Sequence, residues 1–203
     1  MYREHLDLNM RLAVIVNPDA GLGGRLGFKG SDGRAAEARA AGAQDRAGPR
    51  MRQCLEKLSE LAREPIEIVA WDGRMGGDWI PGEYTSTGVT PEFTDASSTS
   101  DFIKAHSPDL FLYAGGDGTT RDIVEALDER NIPLVGVPGG VKMHSGCFAT
   151  TPKAAAEVVW SFVTGDLMVA RTEVMDLDEE VYRKGEWKVR MYGEAFTPAS
   201  PRW

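Results

Sequence analysis

The chain has 203 residues, enough for one substantial hydrophobic core, and its 42% hydrophobic and 27% charged residues exclude a disordered or collagen-like protein. A formal net charge of −8 argues against a nucleic-acid-binding protein, because phosphate contacts need a concentrated basic face. No apolar run reaches the roughly 18 to 20 residues that span a bilayer, and no signal-peptide pattern opens the sequence. We therefore expect a cytoplasmic protein with neither nucleic-acid nor membrane partners, and we expect its two cysteines, Cys54 and Cys147, to be free thiols.

Strands and helices are predicted to alternate from residue 10 onward, after a disordered leader at residues 1–9. Residues 12–16 form a β-branched run typical of a strand that is buried on both faces. Residues 50–63 place apolar side chains at helical spacing, and Pro65 ends that helix before a strand at 66–71. Further predicted strands lie at Val89, 110–114 and 134–137, and a helical turn lies at 75–80. One predicted helix runs from a capping box at 98–101 to an exposed His106, a second starts near Thr119, and a third runs from the N-cap Thr151 to residue 163.

This alternation predicts an α/β fold with a doubly wound parallel sheet, which we place at residues 10–170 as a nucleotide-binding domain. Residues 171–203 have a different pattern, with an acidic run at 173–180 that is typical of a solvated edge and a strand-like alternation at 187–192. We interpret them as the first hairpin of a β-rich C-terminal domain that the chain contains only in part. An exposed edge of such a domain predicts a homo-oligomer that pairs across it.

A glycine-rich segment follows the strand at 110–114, and we call residues 115–119, Gly-Gly-Asp-Gly-Thr, loop 2. Gly115, Gly116 and Gly118 permit positive φ and let backbone N–H groups approach phosphate oxygens. The helix that follows adds the positive end of its dipole. Because a carboxylate repels phosphate, Asp117 needs a role in proton transfer or metal binding.

Two more unusual loops follow predicted strands: loop 1, residues 17–33, and loop 3, residues 138–147. In a parallel sheet the carboxyl ends of the strands share one edge, so the three loops meet if the strand order makes their strands neighbours. Backbone donors, a few cations and one central carboxylate suit phosphoryl transfer, where catalysis is mostly positioning and charge neutralisation.

The candidate residues each have a functional and a plain structural interpretation. Asp117 accepts the proton of an attacking hydroxyl, holds Mg²⁺, or is a turn residue bonded to its own backbone. Thr119 binds phosphate or is the helix N-cap, and Lys142 neutralises phosphate charge or is solvated. His144 binds phosphate, orients a substrate or packs beside Met143. Asn17 caps loop 1 or touches the nucleotide, and the other predicted phosphate contacts are the glycines Gly21, Gly23, Gly24, Gly115, Gly116 and Gly118.

Three segments together resemble the ATP-NAD kinase family: Asn-Pro-Asp-Ala-Gly-Leu-Gly-Gly at 17–24, loop 2, and Gly-Val-Pro-Gly-Gly-Val-Lys-Met-His-Ser at 136–145. The similarity is greatest to the ATP/polyphosphate-dependent NAD kinase-like branch, which includes the acetoin catabolism protein X type, and it covers about residues 10–192. Loop 2 alone is less specific, because diacylglycerol and sphingosine kinases share it. Lipid kinases usually carry a Gly-Thr-Gly-Asn-Asp type sequence where this chain has loop 3.

The resemblance implies a diacylglycerol kinase-like α/β domain, a β domain and a nucleotide site between them. It also implies phosphoryl transfer from ATP or polyphosphate to the 2′-hydroxyl of NAD, with Asp117 as the catalytic aspartate and Mg²⁺ as cofactor. The family's Ile-Asn-x-Gly loop is replaced here by Val-Pro-Gly-Gly-Val-Lys, and its NAD-contacting Asn-Glu motif would fall near or beyond residue 203. A non-catalytic nucleotide-binding accessory protein and a kinase with a lipid or small-polyol acceptor therefore stay open.

Overall fold

The structure is a computed structural model that describes residues 9–22, 35–139, 143–177, 181 and 184–200. Residues 1–8 of the predicted leader lie outside this part of the chain, as do Gly23, Gly24 and Lys142 of the predicted site. Within the described residues, no helix combines the length and the apolar character that a membrane span requires.

A five-stranded parallel sheet forms the centre of the fold, and a separate antiparallel hairpin follows it. The strands of the sheet are β1 (Met10–Val16), β2 (Ile66–Asp72), β3 (Thr85–Val89), β4 (Leu110–Gly115) and β5 (Leu134–Pro138), and the hairpin strands are β6 (Met168–Leu177) and β7 (Val189–Ala199). The helices are α1 (Ala35–Ala40), α2 (Ala47–Leu61), α3 (Ala96–Ala105), α4 (Asp117–Leu127) and α5 (Pro152–Val163), with a 3₁₀ turn at Gly77–Trp79.

Helices cover both faces of the sheet. Leu12, Val14 and Val16 of β1 point into one core, which α2 and α5 close. Ala13 and Ile15 point into the other core, which α3 and α4 close. Successive side chains of a strand face opposite sides, so a strand buried on both faces reads as an unbroken apolar run. The predicted doubly wound α/β fold is therefore confirmed.

The order of the strands, β3-β2-β1-β4-β5, brings the three loops to neighbouring positions. From β1 the chain builds β2 and β3 on one side, and it then crosses to build β4 and β5 on the other. The crevice between β1 and β4 is thus a topological switch point, the usual ligand site of open α/β sheets. Loops 1, 2 and 3 leave β1, β4 and β5, which are adjacent in the sheet.

The start of α3 differs from its prediction. Its N-cap is Asp95, whose side chain accepts hydrogen bonds from the backbone of Ser97 and Ser98, and Ser98 completes the capping box. The predicted box at 98–101 is wrong because Ser98 already occupies the third helical position. His106, predicted to be exposed, is half-buried, since its ring stacks on Phe102 at 4.2 Å and lies 2.7 Å from the Thr87 hydroxyl.

We expect Asp95→Ala to lower the free energy of unfolding by about 1 kcal/mol, the usual cost of losing an N-cap. The hydrogen bond from Ser97 holds the pKa of Asp95 below its ordinary value. Because folding lowers this pKa, the ionised Asp95 stabilises the folded state at pH values above the ordinary carboxyl pKa. That stabilisation is lost as the pH falls through the lowered pKa. Urea unfolding across the acidic range should therefore show the difference between Asp95→Ala and wild type shrinking toward low pH.

The β6–β7 hairpin packs against α4. Val174 and Ala195 are buried in the same core as the inner face of that helix, and the Thr197 hydroxyl donates to the carbonyl of Leu134 at 2.8 Å. The acidic run at 173–180 is not wholly solvated, because the Asp176 carboxylate lies 3.2 Å from the Arg121 guanidinium of α4 and only 17% of the Asp176 side chain is exposed. The solvated edge is thus wrong for Asp176, and Asp178 and Glu180 lie outside the described residues.

Candidate active site

Backbone contacts join the three loops at the carboxyl edge of the sheet. The N–H of Asn17 donates to the carbonyl of Ala114 at 2.9 Å, and the N–H of Gly139 donates to that of Gly115 at 3.1 Å. Loop 1 also reaches loop 3, since a Cβ added to Gly21 would lie 2.8 Å from the carbonyl oxygen of Gly139. The described parts of the loops form one continuous surface; that this surface binds a nucleotide stays a prediction.

Of the glycines of loop 2, Gly115 is needed for space. Positive φ occurs at Gly21 but at none of Gly115, Gly116 and Gly118, so the predicted left-handed conformations in loop 2 are wrong. A Cβ at Gly115 would lie 2.5 Å from the Thr119 hydroxyl, because the first turn of α4 folds back over the strand end. At Gly118 an added Cβ would make only an ordinary van der Waals contact, at 3.8 Å from the Asp176 carboxylate.

Asp117 is the first residue of α4, and its carboxylate connects loop 2 to loop 3. The N–H of His144 donates to Oδ2 at 2.8 Å, the N–H of Ser145 donates to Oδ1 at 2.8 Å, and the His144 ring Nδ1 lies 3.0 Å from Oδ2. Only 8% of the Asp117 side chain is exposed. Its partners are 27 and 28 residues away, so the interpretation as a local turn residue is wrong.

Ser145 holds this part of loop 3 in place, and the sequence did not identify it as a site residue. Its hydroxyl donates to the carbonyl of Met175 in β6 at 2.9 Å and accepts from the N–H of Met175 at 3.0 Å. The carbonyl of Cys147 accepts from the N–H of Gly136 in β5 at 2.8 Å. The segment is therefore clamped between the sheet and the hairpin, which fixes the two N–H groups aimed at Asp117.

We expect Ser145→Ala to destabilise the fold by about 1–3 kcal/mol, because it leaves the N–H and carbonyl of Met175 without their partner. The variant should also exchange the amide protons of residues 144–147 faster, since the clamp on loop 3 is lost. Hydrogen exchange measured by mass spectrometry checks this expectation. Unchanged protection of that segment would contradict the role given to Ser145.

Asn17 and Thr119 hold loop 1 against α4. Asn17 Nδ2 donates to the Thr119 hydroxyl at 2.9 Å, and its Oδ1 accepts from the N–H of Asp19 at 3.0 Å, so Asn17 does cap the start of loop 1. Thr119 is not the helix N-cap, because Gly116 takes that position. Arg39 of α1 fixes the same loop by donating to the carbonyl of Pro18 and to the Asp19 carboxylate.

Two arginines at the start of α2 lie at the meeting point of the loops, and the sequence reasoning missed both. The Arg50 guanidinium donates to the carbonyl of Pro138 at 3.1 Å, and the Arg46 Cδ would lie 3.3 Å from a Cβ on Gly21. Both are half-buried. Arg46 lies in an Ala-, Gly- and Arg-rich stretch that fits a helix or a linker equally well. Arg50 begins the predicted helix, but no local pattern indicates its contact with loop 3.

A buried layer of neutral groups lies beneath Asp117. The Tyr113 hydroxyl lies 2.6 Å from the Thr120 hydroxyl and 3.0 Å from Cys147 Sγ. Burial raises the pKa of Tyr113 well above its usual value and that of Cys147 to about 11. Both predicted free thiols are confirmed as buried free cysteines. This layer ties β4, α4 and loop 3 together without adding charge.

The described residues do not fit a Mg²⁺ ion held by the protein alone. No group of three His, Cys, Asp or Glu side chains in this part of the chain is arranged for metal binding. Both oxygens of Asp117 already accept N–H groups. The contacts of Asp117 are those of a carboxylate that orients neighbouring groups.

Comparison with known proteins identifies the family of this chain. The model of the ATP-NAD kinase N-terminal domain matches residues 12–167. The chain belongs to the ATP-NAD kinase family. It is 33% identical over 93 residues to the NAD kinase of Cytophaga hutchinsonii, which covers 44% of this chain and 30% of that protein.

Two further matches come from kinases with other names. The chain is 35% identical over 60 residues to the Streptococcus pneumoniae protein named "Putative lipid kinase", covering 29% of this chain and 20% of that protein. The crystal structure of a "putative diacylglycerol kinase" from Bacillus anthracis str. Sterne aligns with a TM-score of 0.44 and 15% identity, over 83% of this chain and 45% of that one. The matched region thus spans less than half of each relative.

Proposed function

We propose that this member of the ATP-NAD kinase family is a phosphotransferase that moves the terminal phosphoryl group of ATP or polyphosphate to the 2′-hydroxyl of NAD, giving NADP. The observation that carries the proposal is the buried Asp117 carboxylate, held against His144 where the three loops meet. The family match and the relative named NAD kinase support NAD as the acceptor.

The donor's phosphates would lie against loops 1 and 2. The first N–H groups of α4 and the positive end of its dipole attract anions there, and Asn17, Gly21 and Thr119 border the same place. Gly23, Gly24 and Lys142 remain predicted phosphate contacts outside the described residues. Mg²⁺ would arrive with the phosphates, since it is commonly held by substrate phosphate oxygens and water.

The proton of the attacking hydroxyl would pass to the pair formed by Asp117 and His144. Proton acceptance strengthens the nucleophile as it attacks phosphorus, and the adjacent backbone donors orient the pair. In phosphoryl transfer most of the catalysis comes from positioning and charge neutralisation, so a site built from rigidly connected loops suits it.

A lipid or small polyol is the second candidate acceptor. The relative named as a lipid kinase favours it, because its identity to this chain is close to that of the NAD kinase. The two candidates share the donor site and Asp117. They differ in the residues that hold the acceptor, so a direct comparison of acceptors separates them.

The test incubates the 203-residue chain with γ-labelled ATP or polyphosphate, Mg²⁺ and one acceptor at a time: NAD, diacylglycerol vesicles or glycerol. Label is expected in NADP. Label in the lipid or the polyol instead would mean that this compound, and not NAD, is the acceptor. Calorimetric binding of ATP without transfer to any of the three would favour a non-catalytic nucleotide-binding protein and overturn the phosphotransferase. Light scattering on the same sample tests the proposed homo-oligomer.

A further inference from the structure

His144 has one ring nitrogen turned to Asp117 and the other available to a substrate. Nδ1 lies 3.0 Å from Asp117 Oδ2, and 23% of the histidine side chain is exposed, against 8% for the aspartate. No described residue forms a hydrogen bond with Nε2. Of Asp117 and His144, the histidine is therefore the more accessible to an incoming hydroxyl.

The hydrogen-bond pattern fixes the tautomer of His144. An ionised carboxylate can only accept hydrogen bonds, so the short contact to Oδ2 requires the proton on Nδ1. In a neutral imidazole Nε2 then carries a lone pair and is the acceptor. The backbone N–H groups of His144 and Ser145 hold the carboxylate in the orientation that maintains this arrangement.

Asp117 is poorly placed to take the proton itself. A carboxylate offers about four lone-pair sites, and the two backbone N–H groups and the Nδ1–H occupy most of them. Protonating an oxygen would turn an O–H toward N–H donors that are already in place. A buried donor that loses its acceptor is costly, so these three N–H groups disfavour transfer of the substrate proton to the carboxylate.

We infer that Nε2 of His144 accepts the proton of the acceptor hydroxyl, with Asp117 as the positioning residue that orients the imidazole and stabilises its charged form. This inference rests on the proposed phosphotransferase function. As the hydroxyl oxygen forms its bond to the terminal phosphorus, its O–H bond breaks and the proton moves to Nε2. The bond between that phosphorus and the donor's bridging oxygen breaks, its electron pair leaves with the shortened donor, and the imidazolium later releases the proton to water.

The variant His144→Asn separates the contact with Asp117 from proton acceptance by Nε2. Asparagine can place its amide nitrogen near the position of Nδ1 and keep the contact with Asp117, but it has no counterpart to Nε2. We expect kcat to fall by about 10²-fold or more with little change in KM for the donor. Free imidazole should restore part of the activity of His144→Ala. His106→Asn is the matched control, because His106 is also half-buried and hydrogen-bonded but lies at the C-terminal end of α3. The turnover of His106→Asn should equal that of wild type.

The tautomer gives a readout that does not depend on turnover. ¹⁵N NMR of histidine-labelled protein at mildly alkaline pH should show His144 protonated at Nδ1, with the assignment taken from the signal missing in His144→Asn. Asp117→Asn should shift that signal toward the other tautomer.

Three outcomes decide the matter. Protonation of a neutral His144 at Nε2 overturns the inference, and so does full activity of His144→Asn. In either case the proposed phosphotransferase function stands if the wild-type chain transfers label. A wild-type chain that transfers label to no acceptor overturns the proposed function and this inference together.

Discussion

Asp117→Asn is expected to lower the rate of phosphoryl transfer by about 10²- to 10⁴-fold, the range of general acid–base catalysis, because the proton-accepting pair of Asp117 and His144 loses its carboxylate. Asparagine offers one oxygen acceptor and brings an NH₂ group, which would face the N–H of either His144 or Ser145. It also removes the negative charge beside Nδ1. We expect a loss of about 1–3 kcal/mol in the free energy of unfolding as well, because a buried donor loses its partner.

Asp95→Ala is the control that separates activity from stability. It removes a carboxylate that also accepts two backbone N–H groups, but these groups, at Ser97 and Ser98, belong to α3 and not to the three loops. It should lower stability while leaving the transfer rate unchanged. Rates measured well below each variant's melting temperature, beside urea unfolding curves, make the comparison. An Asp117→Asn chain as active as Asp95→Ala would contradict any role for the carboxylate in transfer.

The sheet could be predicted because its strands are buried on both faces. The run at 110–114 has no polar position, which a half-exposed strand would show, and β4 is buried along its whole length. Thr151 and Pro152 marked the start of α5 because their capping chemistry is local. The helix predicted from residue 50 begins earlier, at Ala47, since Pro49 lies inside the first turn of α2, where a missing N–H costs nothing.

The site was harder to predict than the fold because its contacts connect distant parts of the chain. Loops 1 and 2 are recognisable as glycine-rich segments after strands, but their meeting depends on β1 lying beside β4, which no local pattern encodes. The partners of Asp117 lie 27 and 28 residues further on. The acidic run that contains Asp176 looked solvated because nothing near it in sequence indicates that Arg121 of α4 packs against it.

The meeting of loops 1 and 3 predicts that Gly21→Ala is strongly destabilising, by roughly 2–5 kcal/mol in total. Its φ of +79° costs an L-residue about 1–2 kcal/mol. A Cβ would also lie 2.8 Å from the carbonyl oxygen of Gly139, and overpacking against backbone costs typically about 1–3 kcal/mol more. Urea unfolding measures the loss, and the transfer rate should fall with it because loop 3 must move away from loop 1.

Gly42→Ala isolates the part of that cost that comes from the contact between the loops. Gly42 has a φ of +89° and no atom within 4 Å of an added Cβ, so its substitution carries the conformational penalty alone. Alanine reduces the entropy of the unfolded chain similarly at both positions, so that contribution cancels in the comparison. The excess loss in Gly21→Ala therefore measures the approach of loop 1 to Gly139. Equal losses in the two variants would mean that loops 1 and 3 do not touch in solution, and a single site where the three loops meet would then lose its structural basis.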